Sequence, residues 1–175
     1  QLLVEMVATT DKDVRRRTLN YAEAFNKTLV GTLQLLPSTI EIDHKPTPLM
    51  VLNVQPLNLD FQGVDPFTAA TGAVATVFAR QGDDFIRITT SLTDSHGKRA
   101  VGTVLDRNHP AYEATRSGRP YTGLATLFGR QYMTHYTPLV NAQGAVIGLT
   151  FVGLDFSELL AGLRDSIRKL NVGET

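Results

Sequence analysis

Five segments between residues 73 and 154 constrain this chain more than any other feature. They are AVATVFAR (73–80), DFIRITTSL (84–92), YTGLATLF (121–128), QYMTHYTPLV (131–140) and AVIGLTFVGL (145–154). Each is rich in β-branched and aromatic residues, which suit a pleated, half-buried surface. RQGDD, DSHGKR and NAQGAV are turn segments centred on glycine. Between the second and third segments lies NHPAYEATRSG, where Pro110 opens a short helix and Gly118 closes it. There is no strand–helix–strand alternation. The pattern is therefore a five-stranded, largely antiparallel sheet with one helical excursion, in an α+β chain.

Helices flank this sheet. Residues 2–36 read as one long helix, because Val14, Leu19, Ala22, Phe25, Leu29, Leu33 and Leu36 recur at spacings of mostly three and four. Pro37 ends the run. Thr10 and Asp13 resemble a capping box, which would break the helix near residue 10. A helix of this length suits a stalk or a dimer-forming element. Arg15, Arg16 and Arg17 fit its solvated face. Residues 37–63 are rich in Pro, Asn and Asp, with short strands expected at TIEID, LMVLN and LNLD. VDPFTAATG reads as a helix with Asp65 as N-cap, Pro66 at the first position and Gly72 as C-cap. Asp155 and Glu158 stand at capping-box spacing before an amphipathic exit helix through Leu159, Leu163 and Ile167. The chain is thus one domain over 1–175, with a long helix (1–36), a sheet-bearing core (37–155) and an exit helix (156–172). Both ends are helix-like, as if cut from a longer protein.

Composition narrows the function. Lys plus Arg equals Asp plus Glu at 17 each, so no nucleic-acid partner is indicated. The absence of cysteine excludes disulfides, thiolate metal sites and a cysteine nucleophile. No apolar run approaches the roughly 20 residues that span a bilayer. The serines lie in no nucleophile elbow, and no two of His44, His96, His109 and His135 stand at i, i+4. Asp83 and Asp84 follow Gly82 as an exposed turn. No cofactor, metal or catalytic residue is expected, and the chain reads as a non-enzyme.

The chemistry that remains lies on the sheet. In DFIRITTSL, strict alternation puts Ile86, Ile88, Thr90 and Leu92 on one face and Arg87, Thr89 and Ser91 on the other. In QYMTHYTPL, Tyr132, Thr134 and Tyr136 share a face opposite Gln131, Met133 and His135. An arginine among tyrosine and threonine hydroxyls suits a small anion, since its planar fork grips a carboxylate with two hydrogen bonds. Equally, Arg87 could pair with Asp84 or Asp94, and the tyrosines could be core residues. His135 is a packed or surface histidine or a pocket group. Arg119 and Tyr121, in GRPYTG, lie at the mouth of a strand, where Arg119 is a surface residue or a lid contact.

Taken together, TGAVATVF, DDFIRITTSL, AVGTVLD with HPAY, GRPYTGLATLFGRQYMTHYTPL and GAVIGLTFVGLD resemble the Cache superfamily. More narrowly they are similar to the single-Cache type called Cache 3 or Cache 3–Cache 2, found in bacterial chemoreceptors and sensor kinases. The resemblance implies a PAS-like antiparallel sheet with the long helix packed behind it. It implies a periplasmic position between two membrane helices and a pocket on the sheet face away from the long helix. On that reading the partner of Arg87 is a ligand carboxylate, held against Thr89, Ser91, Tyr132, Thr134 and Tyr136. A second carboxylate would need Arg119, Arg130, Lys45 or His135.

The expected function is a periplasmic sensor domain of a methyl-accepting chemotaxis protein, binding a small organic acid and signalling through its terminal helices as a homodimer. The alternatives are the same sensor on a histidine kinase or cyclase, and a soluble α+β enzyme with His135 beside an acidic residue. A protein-interaction module with its pocket packed shut is a further alternative.

Overall fold

The computed structural model describes residues 2–173 of the 175. Gln1, Glu174 and Thr175 lie outside the described residues. The chain runs α1 (Leu2–Asn26), β1 (Leu33–Ile42), β2 (Lys45–Leu52), β3 (Gln55–Pro56), α2 (Val64–Thr71), β4 (Val74–Gln81) and β5 (Asp84–Thr90). It continues through α3 (Pro110–Arg116), β6 (Tyr121–Leu127), β7 (Arg130–Val140), β8 (Val146–Asp155) and α4 (Ser157–Gly173). The main sheet has the order β5-β4-β8-β7-β6, every pair antiparallel. With its strands counted from β4 as one to five, this is 2-1-5-4-3, the PAS-like sheet that the resemblance implies. A separate three-stranded sheet, β1-β2-β3, packs beside β4.

α1 is one unbroken helix through Thr10, but it ends at Asn26, ten residues before the expected stop. Thr28, Val30 and Thr32 are β-branched and favour extended chain. Gly31 sits at φ 132°, closed to other side chains, and Asn53 fills the space beside it. Asn53 accepts from the Thr32 N–H (2.8 Å) and donates to the Val30 carbonyl (3.0 Å). Leu33 and Leu35 then alternate as a strand, although Leu29, Leu33 and Leu36 also match a helical period. The buried stripe of α1 is Val14, Thr18, Ala22 and Phe25, while Leu19 is exposed. Arg15 and Arg16 pair along the helix with Asp11 and Asp13.

α2 begins at Val64 with Gly63 as N-cap, so Asp65 lies in the first turn rather than at the cap. Gly72 closes it at φ 78°, as expected. Asp65 instead takes the fork of Arg99, at 2.8 and 3.0 Å. The Arg99 guanidinium also lies 3.9 Å from the Phe61 ring centroid and donates to the Thr90 carbonyl. The Arg99 hydrogen bond holds the Asp65 carboxyl below its ordinary value of 3.8. A carboxyl depressed in the folded state stabilises above its unfolded pKa, and this is lost as pH falls through the folded value. Replacing Arg99 by Gln should therefore lower the melting temperature at pH 7, by an amount that shrinks as pH falls below 3.8. Melting curves of both proteins at pH 7 and near pH 2.5 check this; a difference constant with pH would assign the effect to Phe61 and Thr90 alone.

One face of the main sheet is covered by α1. Ala22 and Phe25 pack there with Ala75, Val77, Ala79, Ile88 and Val152, joined by Met50 from β2. Asn26 ties the helix end to the sheet, donating to Thr137 Oγ1 (3.0 Å) and accepting from Thr150 Oγ1 (2.6 Å). The opposite face carries Phe78, Phe85, Tyr136, Leu149 and Phe151, covered by Leu105 and by Ala111 and Tyr112 of α3.

Candidate functional site

The face of β5 is set by a bulge. Phe78 pairs with Arg87 and Val77 with Thr89, so Ile88 is an extra residue against β4. The bulge breaks the strict alternation expected from the sequence. Phe85, Arg87 and Thr90 share the face away from α1; Ile86, Ile88 and Thr89 share the face toward it. Thr89 donates to the Asp60 carbonyl at 2.8 Å, and Ser91 Oγ accepts from Thr68 Oγ1 and from the Ala75 N–H. Neither therefore stands beside Arg87. Thr90 does share its face, but its hydroxyl meets that of Thr76 at 2.6 Å.

Arg87 is only 3% exposed. Its guanidinium lies 4.7 Å from the centroid of the Phe78 ring and 5.8 Å from that of Phe151. Nη1 donates to Thr103 Oγ1 at 2.9 Å. Nε has no partner, which is the single such buried side-chain atom among the described residues. No carboxylate lies within 4.0 Å of it there. Asp84 pairs with Arg107, and Asp94 accepts from the N–H groups of His96 and Lys98 in its own loop. Burial brings the Arg87 pKa down to about 10, opposed by the nearby Tyr136, so the group stays charged at neutral pH.

Thr103 reaches Arg87 because residues 100–105 run along the free edge of β5. The Arg87 N–H donates to the Thr103 carbonyl, Gly102 N–H to the Arg87 carbonyl and Leu105 N–H to the Phe85 carbonyl. Arg87, Thr103, Leu105 and Asp106 line a cavity of about 250 Å³ with His109, Phe128 and Tyr136. Val104, Ala125, Thr126 and Leu127 complete it. Tyr136 is 1% exposed, and its hydroxyl makes no hydrogen bond among the described residues. Burial pushes its pKa up to about 12, against the lowering effect of Arg87. His109 caps α3: its Nδ1 accepts from the Ala111 N–H at 3.1 Å and its Nε2 faces the Leu124 carbonyl at 3.2 Å. That pattern places a ring proton on Nε2. Phe128 and Gly129 both have positive φ, 52° and 81°, as a two-residue hairpin turn between β6 and β7 demands.

Of the residues singled out from the sequence, the structure brings Arg87 and Tyr136 together in this cavity. Tyr121 stands behind them, stacked on Tyr136 at 6.4 Å and edge-on to His109 at 5.6 Å. Tyr132 is on the same sheet face but packs with Leu92 and Ala100, behind Leu127 and Phe128. The Thr134 hydroxyl is taken by the Gly123 carbonyl at 2.6 Å. His135 is on the α1 side, where its Nδ1 meets Thr122 Oγ1 at 2.8 Å and burial lowers its pKa. Arg119 is exposed beyond α3, Lys45 is exposed at the β1–β2 turn, and Arg130 pairs with Asp155. None of these three cations lines the cavity.

Sequence reading missed Thr103, His109 and Phe128. His109 had a usable signal, a polar residue directly before Pro110 at a helix start. Thr103 had none, because the 93–109 loop shows no periodicity. A second hollow, about 190 Å³ between α1 and α4, is apolar and is lined by Val7, Val14, Met133 and Leu160 among others. It offers no charged group to rival Arg87 except Asp11.

No curated protein matches the chain. Among solved structures, an RNA-binding light-oxygen-voltage receptor matches at 17% identity and a TM-score of 0.39, covering 81% of this chain and 45% of that one. The periplasmic domain of RsbU from Chlamydia trachomatis matches at 13% identity and a TM-score of 0.39, covering 91% of this chain and 56% of the other. The chain thus spans about half the length of these two chains. The model of one family, the Cache 3/Cache 2 fusion domain, matches residues 1–175. With the α+β sheet, the helix behind it and a cavity on the far face in place, the chain belongs to the Cache 3/Cache 2 fusion domain family of extracytoplasmic sensor domains.

Proposed function

We propose that this sensor domain belongs to a transmembrane chemoreceptor, lies in the periplasm, and binds a small organic acid through its carboxylate at Arg87 and Tyr136. The observation that carries this reading is a guanidinium, 3% exposed, with an unpartnered Nε and no carboxylate in reach among the described residues. A buried cation without a counter-charge is costly. A ligand carboxylate would supply the missing charge and acceptor, and the Tyr136 hydroxyl would donate to it.

The fold offers a path for the signal. Phe151 of β8 packs on Tyr136 with ring centroids 5.0 Å apart, and the next residue back, Thr150, bonds Asn26 of α1 on the other face. β8 ends at Asp155, which caps α4 by accepting from the Ser157 N–H at 2.9 Å and also pairs with Arg130. The Ser157 hydroxyl accepts from the Gln131 N–H at 2.9 Å, so the start of α4 is fastened to β7. Ligand binding would shift the population between two arrangements of these strands and the terminal helices. A homodimer through α1, whose exposed apolar residues include Val4, Met6, Val7 and Leu19, completes the proposal.

The test is a thermal-shift screen against short carboxylic acids, repeated with Tyr136→Phe. An acid at 100 times its dissociation constant should stabilise by about 2.7 kcal/mol, or roughly 5–10 °C at this size. Tyr136→Phe keeps the ring against Phe151 but removes the donor, and should weaken that acid about tenfold. If no acid raises the melting temperature of the wild type, the proposal fails.

A further inference from the structure

The charges around the cavity limit which acids it can take, given the reading of Arg87 as the carboxylate site. Among the described residues Arg87 is the only Lys or Arg lining it. His109 also lines it, but both its ring nitrogens are engaged, Nδ1 by the Ala111 N–H and Nε2 by the Leu124 carbonyl. Asp106 lines the exposed rim. Its Oδ1 accepts from the Asn108 N–H at 2.9 Å, and no Lys or Arg pairs with it among the described residues. The remaining wall is largely apolar, formed by Val104, Leu105, Ala125, Leu127 and Phe128. The volume, about 250 Å³, lies below the usual range of roughly 300–1,000 Å³ for small-molecule sites.

We infer that the site selects short monocarboxylates over dicarboxylates of the same length, and that Asp106 is a selectivity-determining residue. With one carboxylate on Arg87, a second would either lose its water against the apolar wall or approach the unpaired Asp106 carboxylate. The first leaves a charge without a donor, and the second sets like charges together. A short apolar tail meets neither penalty.

Calorimetric titration with matched pairs tests this: propanoate against propanedioate, butanoate against butanedioate, pentanoate against pentanedioate. The protein is used as wild type and as Asp106→Asn, whose amide oxygen can still accept from Asn108. In the wild type the monocarboxylate of the best pair should bind at least tenfold more tightly than its partner. Asp106→Asn should narrow that gap several-fold by strengthening the dicarboxylate, with the monocarboxylate little changed. A wild type that prefers the dicarboxylate overturns the inference and leaves the carboxylate reading standing. A preference that Asp106→Asn does not alter overturns the role of Asp106. If no acid of any pair binds, the carboxylate reading itself falls, and the selectivity with it.

Discussion

Replacing Arg87 by Met should abolish every carboxylate-induced shift while leaving the ligand-free domain as stable as the wild type, or more stable by up to about 2 kcal/mol. The two halves of this result come from the same geometry. In the ligand-free protein the guanidinium gains one bond, to Thr103, and contacts with the Phe78 and Phe151 rings. Such terms are worth about 1–2 kcal/mol each. Against them stands the removal of a charge from water, several kcal/mol, with Nε left unbonded. The depressed pKa of Arg87 has the same cause, since burial penalises the charged form. Methionine is unbranched and adaptable, so it can follow the arginine stem between the rings without requiring a partner. Urea unfolding of both proteins measures the first half, and melting with and without the acid measures the second. A loss of 2 kcal/mol or more in the ligand-free Arg87→Met protein would make Arg87 a structural residue and remove the main support for the site.

The largest purely structural effect is expected at Gly148. It lies in β8, the central strand, opposite Ala79 on one side and Leu139 on the other. A Cβ there would come within 2.2 Å of the Phe78 carbonyl oxygen and 2.6 Å of Met50 Cε. Met50 could swing away, being the end of a flexible side chain. The carbonyl cannot, because it belongs to the neighbouring strand. Gly148→Ala should cost about 3 kcal/mol, at the upper end of overpacking effects, and Gly148→Val more. For a domain of this size that lowers the melting temperature by roughly 6–12 °C. Gly123→Ala is the informative contrast. Its Cβ would meet the Tyr121 hydroxyl at 2.3 Å and ring carbon Cζ at 2.7 Å, the far end of a half-buried side chain that can swing aside. It should cost clearly less than Gly148→Ala in the same unfolding measurement; equal losses would mean that β8 can shift to accept the methyl group.

These residues also show how much was legible beforehand. The five strands of the main sheet, the helix after Pro110, the C-cap at Gly72 and the exit helix all appear within two or three residues of where the sequence places them. Each is marked by local chemistry: β-branched runs, a proline that fits a first turn, a glycine that tolerates positive φ. α1 shows the limit of such signals. Leu29, Leu33 and Leu36 fit a helical period almost as well as Leu33 and Leu35 fit a strand. The choice is settled by partners farther along the chain, the β2 strand that pairs with β1 and Asn53 that bonds across the turn at Gly31. The candidate site was partly legible. Arg87 stood out because a cation in an apolar strand must be answered by something, and Tyr136 because it alternates onto a sheet face.

What the sequence by itself determined is therefore the five strands of the main sheet and their antiparallel character, the helices at VDPFTAATG, after Pro110 and after Asp155, and one charge that needed an explanation. It did not place the start of β1, where a helix to residue 36 was expected, or β3, in place of which a strand was expected at LNLD. What only the tertiary structure decided is which way that charge points and what surrounds it. The bulge at Ile88 turns Arg87 away from Thr89 and Ser91, and a bulge is a property of two paired strands, invisible in one. Thr103, His109 and Tyr136 meet Arg87 only because the 100–105 segment lies along β5 and α3 caps the same face. Periodicity is read within a strand, but a pocket forms where separate segments converge, and that convergence is fixed by packing.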